Sequence, residues 1–170
     1  LVTDNPVNRC YYCKQGVFGT ILEAAKNDGM TVILDGTNAS DDADDRPGMK
    51  ALQEMKVLSP LRMCGYVKSE IRKQSKEAGL FVYNKPSYAC LATRIPTGTE
   101  IDEEKIKQVE TAETFLFDLG FSDFRVRWMD NKAKIQMPES QLQALMEKRE
   151  VVLEELSKIF DEVLLDLRTR

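Results

Sequence analysis

Apolar residues recur at helical spacing in some stretches and run together or alternate in others, and the order of these patterns changes near residue 98. From Lys14 to Asn27, the positions Val17, Phe18, Ile21, Leu22 and Ala25 mark one face of a helix, and Asn27-Asp28-Gly29 stops it. Met30-Thr31-Val32-Ile33-Leu34 follows as a continuous apolar run, which predicts a short strand buried on both faces. Pro47 is placed to open a helix that reaches about Met55, and Tyr66 to Ala78 predicts another that ends at Gly79. Helix, buried strand, helix is half of an α/β layered sheet. Past Thr97-Gly98-Thr99 the pattern predicts a helix from Asp102 to Leu119, strands from Asp123 to Met129 and from Lys132 to Met137, a helix from Glu139 to about Ile159, and a strand from Phe160 to Asp166. The dipeptide Asp130-Asn131 between the first two strands is short enough for a hairpin. The expected organisation is an α/β layered part over residues 1–97 and a small α+β part over residues 98–170.

Composition narrows the class. The chain has 170 residues, 42% hydrophobic and 31% charged, the balance of an ordinary globular protein. No apolar run approaches the ~18–20 residues of a membrane span. A net charge of −4 argues against a broad nucleic-acid or anionic-membrane surface. Leu1-Val2-Thr3-Asp4-Asn5-Pro6 has neither an initiator Met nor the basic-then-apolar pattern of a signal peptide, so a segment upstream is expected. The four cysteines, with no secretory signal, predict a reducing, cytoplasmic setting in which a Cys-x-x-Cys pair serves redox, metal or catalytic chemistry. Histidine is absent, so proton transfer falls to carboxylates, thiols, lysines, tyrosines or water, and a metal would take sulfur or oxygen ligands.

Cys90 stands out, because Asn84-Lys85-Pro86-Ser87-Tyr88-Ala89-Cys90-Leu91-Ala92-Thr93-Arg94-Ile95-Pro96 is a proline-bounded loop between two helical patterns. A loop thiol is placed to react more than to pack. Cys10 and Cys13 in Asn8-Arg9-Cys10-Tyr11-Tyr12-Cys13-Lys14 add a pair far upstream, and Lys14 and Arg94 stand close enough in sequence to favour thiolate. Cys64, in Met63-Cys64-Gly65, has no such company and is expected to be a buried structural thiol. Asp35-Gly36-Thr37-Asn38 follows directly on the apolar strand, at the carboxyl end where open α/β sheets bind ligands, although a plain turn fits it equally well. The run Asp41 to Pro47 offers carboxylates for Mg²⁺ near phosphates or, for one of them, a helix cap. Glu113 falls in register with Ile106, Val109 and Leu116, so a carboxylate occupies an apolar stripe and needs a partner or a purpose. Arg125 and Arg127 alternate with Val126 and Trp128, which sends both guanidinium groups to one strand face, suited to a phosphate or carboxylates, or simply to solvent.

Taken in order, these segments, with Asp45-Arg46-Pro47-Gly48, Ser59-Pro60-Leu61, Lys68 with Glu70-Ile71-Arg72, Arg125-Val126-Arg127 and Leu165-Asp166-Leu167, resemble the LarE-type ATP-dependent sulfur transferases of the PP-loop ATP pyrophosphatase superfamily. The resemblance runs from end to end, and the Lys-Pro…Ala-Cys-Leu-Ala-Thr-Arg segment is specific to the family. It implies a partial Rossmann-like (adenine nucleotide alpha hydrolase-like) layered sheet plus a small α+β domain for substrate binding or oligomerisation. The family's Ser-Gly-Gly-x-Asp-Ser phosphate loop does not occur, so the chain resembles the family's fold without its first third. The activity implied is adenylation of a carboxylate of a pyridinium biscarboxylate mononucleotide with ATP and Mg²⁺, then conversion to a thiocarboxylate during nickel-pincer cofactor synthesis. Cys90 matches the sulfur-bearing cysteine, and Cys10 and Cys13 match positions where some members carry two further thiols, a set resembling those that hold a 4Fe–4S cluster. Glu113 then matches a catalytic position, and Lys14, Arg94, Arg125 and Arg127 are expected at the substrate, the last two at its phosphate. Asp35, Gly36, Thr37 and Asn38 would lie near the nucleotide. A homo-oligomer is expected.

Two other functions are consistent with these residues: a PP-loop enzyme thiolating tRNA or another nucleobase, which the acidic balance disfavours, and a non-catalytic metal-binding assembly module. With no glycine-rich phosphate loop to cradle phosphates, the 170-residue chain by itself is expected to release no pyrophosphate from ATP. A coupled pyrophosphate assay with the mononucleotide substrate checks this, and substrate-dependent release would refute it.

Overall fold

A computed structural model describes residues 1–41 and 47–168. The chain divides into two compact units, one formed by Leu1–Val2 with Pro6–Lys85 and the other by Thr3–Asn5 with Pro86–Arg170. The division falls ahead of residue 98, where the sequence patterns change, because residues 86–97 are bound to the second unit. The Asn5 amide donates to the carbonyls of Ile95 (3.3 Å) and Pro96 (2.7 Å), and Gly98 N–H donates back to Asn5 O (2.9 Å).

The first unit is helical. Helix α1 spans Arg9–Asn27, α2 Pro47–Glu54, α3 Pro60–Met63 and α4 Lys68–Glu77. Gly29 and Gly79, at φ of 73° and 71°, supply the left-handed residues that end α1 and α4 where the sequence stops them. α1 begins five residues before Lys14, the expected start, so Cys10 and Cys13 lie inside its first turns. It packs on α2 at Gly48, where an added Cβ would meet Lys14 Cδ at 3.0 Å and the Cys10 carbonyl at 3.6 Å. Met49, Leu52 and Val57 form a small core, with Phe18, Ile33 and Met55 packed against it.

The expected strand Met30–Leu34 requires correction. It forms a single parallel bridge, Leu34 to Leu58, and Met30, Val32 and Leu34 are 64%, 57% and 58% exposed. A strand buried on both faces needs a neighbour on each edge and a layer on each face, and among the described residues Leu58 is its one partner. Cys64 also differs from expectation: it follows α3 as its C-terminal cap, ahead of Gly65 at φ 75°, and its thiol is exposed. The run Asp42 to Arg46 lies outside the described residues.

The second unit is α+β. Helix α5 spans Glu103–Asp118, strands β1 and β2 span Arg125–Met129 and Lys132–Gln136, helices α6 and α7 span Leu142–Glu147 and Arg149–Leu156, and β3 spans Glu162–Leu165. Asp102 caps α5 by accepting from Lys105 N–H at 2.8 Å. Asp130 and Asn131 both take positive φ, 51° and 57°, the two-residue turn whose twist suits an antiparallel hairpin. It pairs Met129 with Lys132 and Arg125 with Gln136, and β3 joins β2 in parallel, giving the order β1-β2-β3. The helix expected from Glu139 to Ile159 breaks at Lys148, whose ammonium donates to the Leu119 carbonyl at the end of α5 (2.7 Å). Val126, Ala133 and Ile135 face inward against Leu116, Phe124 and Leu156, and this is the larger core.

Leu116 is fully buried in that core, whereas Phe81 in the first unit is 90% exposed. Leu116→Ala is expected to cost about 2–5 kcal/mol, read from urea unfolding, and Phe81→Ser to lie within about 0.5 kcal/mol of wild type.

Candidate active site around the Cys90 loop

The loop that bears Cys90 turns over a short 3₁₀ segment, Leu91–Arg94, at whose head Cys90 sits. The Cys90 carbonyl accepts from the Thr93 N–H (2.9 Å) and from the Thr93 hydroxyl (2.8 Å), so the turn closes on itself and leaves the thiol exposed.

Beneath the turn lies a buried ion pair. Arg94 and Glu113 are 1% and 4% exposed; Arg94 Nε meets Glu113 Oε1 at 2.7 Å, and its second terminal nitrogen meets Oε2 at 3.0 Å. Two parallel bonds between planar groups fix both orientations. The Val126 N–H of β1 also donates to Glu113 Oε1 at 2.9 Å. The carboxylate on the apolar stripe of α5 thus has its partner, and that partner comes from the cysteine loop. Arg94 further donates to the Thr93 hydroxyl at 2.9 Å.

Arg125 and Arg127 hold the two shoulders of the same loop. Arg125 is buried, donates to the carbonyls of Phe124 (2.6 Å) and Ser87, and lies 5.2 Å from the centre of the Tyr88 ring. Tyr88 continues into an aromatic stack with Phe117 and Phe124. Arg127 donates from Nε to Gln136 Oε1 (2.8 Å) and from Nη1 to the Thr93 carbonyl. The two arginines expected together differ in exposure. Arg127 lines a cleft of about 350 Å³ with Thr93, Thr97, Lys134 and Gln136, whereas Arg125 is enclosed and does not line it.

Gln136 and Asp166 complete this network and were not singled out from the sequence as site residues. Asp166 accepts from Gln136 (2.8 Å), from the Arg168 N–H (3.1 Å) and from Lys134 (3.1 Å). These contacts, Gln136 foremost, hold its carboxyl down to about 2. The available signal was the alternation of Lys132, Lys134 and Gln136 on one face of β2, opposite the arginines.

The remaining candidates lie in the first unit. Asp35 accepts from the Ser59 hydroxyl at 2.6 Å and from the Thr37 hydroxyl and N–H at 2.5 and 3.2 Å. Burial raises the Asp35 carboxyl, but the bonds from Ser59 and Thr37, with Lys14 nearby, outweigh it and leave the group below its ordinary value. Asn38 is buried; its N–H and amide both donate to Asp41, at 3.1 and 2.9 Å. The polar side chains of this loop thus hold its own shape, while Gly36 has open space where a Cβ would stand. Cys10 and Cys13 are exposed on one face of α1, one turn apart. Among the described residues, no three His, Cys, Asp or Glu side chains are gathered as a metal site. Nor is any helix long and apolar enough to cross a membrane.

No protein-family profile matches the chain. It is 39% identical over 158 residues to an uncharacterized protein of Synechocystis, across 93% of the chain and 58% of that protein. It is 33% identical over 141 residues to the pyridinium-3,5-bisthiocarboxylic acid mononucleotide synthase of Lactiplantibacillus plantarum, across 83% of the chain and 51% of that enzyme. An uncharacterized protein of Methanocaldococcus jannaschii is 31% identical over 151 residues, which is 89% of the chain and 59% of that protein. The chain spans between about half and three-fifths of the length of these relatives.

Removing one member of a buried ion pair strands the other, at a cost of about 3–5 kcal/mol, whereas replacing both with apolar groups of similar volume is often close to neutral. Glu113→Ala is therefore expected to destabilise the protein by about that amount, and Arg94→Met with Glu113→Leu to recover most of it. Chemical denaturation of the single and double variants checks both values.

Proposed function

We propose that the chain belongs to the LarE-type sulfur transferases, within the PP-loop superfamily, and that the whole protein converts an ATP-activated carboxylate of a pyridinium biscarboxylate mononucleotide to a thiocarboxylate. The observation that carries this reading is the exposed Cys90 thiol on a loop tied down at both shoulders by arginines. The 33% identity to a pyridinium-3,5-bisthiocarboxylic acid mononucleotide synthase supports it.

In this reading ATP transfers AMP to the substrate carboxylate and pyrophosphate leaves. The Cys90 sulfur attacks the acyl carbon, the carbon–oxygen bond breaks, and AMP departs with its electron pair, leaving a thioester. Loss of the Cys90 α-proton to a base then breaks its Cβ–S bond. The substrate leaves as thiocarboxylate, and dehydroalanine remains in the chain. Arg94 and Glu113 hold the turn under Cys90 in place through these steps, Arg125 grips Ser87, and Arg127 faces the substrate phosphate. Asp35, Gly36, Thr37 and Asn38 are assigned to ATP, and Lys14 to the substrate; the open space at Gly36 suits close approach of phosphate to the backbone. Three exposed thiols, none in a disulfide, are also a donor set suited to iron. A 4Fe–4S cluster held by Cys10, Cys13 and Cys90 would supply inorganic sulfide as the donor and spare the chain's own sulfur.

Mass spectrometry after turnover tests the sulfur source. A single turnover per chain with loss of H₂S at Cys90 is the outcome expected of the sacrificial route. Intact Cys90, with activity abolished by Cys10→Ala or Cys13→Ala, is expected of the cluster route. Full activity in Cys90→Ala would overturn the proposal in either form.

A charge-assisted contact contributes on the order of 1.5–3 kcal/mol. Arg127→Ala in the full-length protein is accordingly expected to weaken mononucleotide binding roughly ten- to hundredfold, with ATP binding nearly intact. Calorimetric titration with each ligand is the check, and equal loss of both would count against the assignment.

A further inference from the structure

Building on the assignment of Arg127 to the substrate phosphate, we infer that Gln136, locked in orientation by Asp166, is a positioning residue that aims Arg127 at that phosphate. The side-chain amide of Gln136 bridges the two charged groups: its oxygen accepts from Arg127 Nε at 2.8 Å and its nitrogen donates to Asp166 Oδ2 at 2.8 Å. A carboxylate only accepts and a guanidinium only donates, so the amide has one acceptable orientation between them. Turned over, it would set oxygen against carboxylate and N–H against guanidinium.

The sheet makes this bridge. Gln136 and Lys134 occupy one face of β2, in register with Arg125 and Arg127 of β1 respectively. The parallel pairing of β3 carries Asp166 to the end of β2, where its N–H donates to the Ile135 carbonyl at 2.9 Å. Lys134 and the Arg168 N–H also bind the Asp166 carboxylate. Its carboxyl stays ionised to about pH 2, so the bridge persists across any working pH.

A neutral bridge has a chemical consequence. Glutamate at position 136 would pair with Arg127 directly and cancel part of the charge a phosphate requires. The amide holds the guanidinium, whose Nη1 also binds the Thr93 carbonyl, at the cleft that Thr93, Arg127, Lys134 and Gln136 share, and adds no charge of its own there. The ligand class is thus a phosphomonoester on the pyridinium nucleotide, discriminated from its nucleoside.

The test is calorimetric titration of the full-length protein with nicotinic acid mononucleotide and with nicotinic acid riboside, its dephosphorylated counterpart. Substitution of a residue that orients a binding group commonly costs on the order of tenfold or more. Gln136→Leu is expected to weaken the mononucleotide by that factor and to leave the riboside unchanged. Asp166→Ala should do the same, even though removal of a negative charge would by itself tighten anion binding. Wild-type or tighter mononucleotide binding in either variant, or an equal loss for the riboside, overturns the inference. Arg127→Ala separates the two levels. If it leaves mononucleotide binding unchanged, the phosphate assignment falls and this inference with it; if it weakens binding while Gln136→Leu does not, only this inference falls.

Discussion

The pairing of Arg94 with Glu113 is the constraint around which the second unit is arranged. Neither charge is tolerable alone at 1% and 4% exposure, so the loop that carries Arg94 must reach the helix that carries Glu113. Glu113 also binds the first strand through the Val126 N–H, and three pieces of chain distant in sequence meet at one carboxylate. Such a pair adds little net stability compared with an apolar replacement. Its effect is to select one conformation of the turn above it, and that turn bears Cys90.

Around this centre the arginines act in graded ways. Arg94 is buried against Glu113 at the base of the cleft, Arg125 is buried beside the Tyr88 ring, and Arg127, half-buried, lines the cleft more openly. A guanidinium offers five donors in a rigid plane, so each can bind a backbone carbonyl and a second group together. The loop is thereby fastened through its main chain at Ser87 and Thr93, and the identity of its side chains is left to chemistry.

Much of the second unit was legible in the sequence. The hairpin at Asp130-Asn131, the start of α5 at Asp102 and the inward face of β1 all follow from local signals, because turn, cap and alternation are properties of neighbouring residues. Glu113 announced that it needed a partner, but not which one, since Arg94 lies nineteen positions away and no local rule links them. Gln136 and Asp166 were illegible as a pair for the same reason: the parallel register of β3 on β2 decides their meeting. In the first unit the apolar run 30–34 signalled a buried strand, and burial depends on neighbours that a run of side chains does not specify. Cys64 shows the converse, a residue type that usually packs, set at a helix end where its side chain meets solvent.

The segment Met30–Leu34 has a practical consequence for handling the protein. It is short, largely apolar, uncharged and free of proline, and four of its five residues are exposed. Such a stretch with an open edge is a template for pairing with an identical stretch on another molecule. Concentrated solutions of this chain should therefore tend toward ordered, strand-mediated aggregation. A lysine in place of Val32, which is already exposed, would place a charge in the middle of that template while touching neither core.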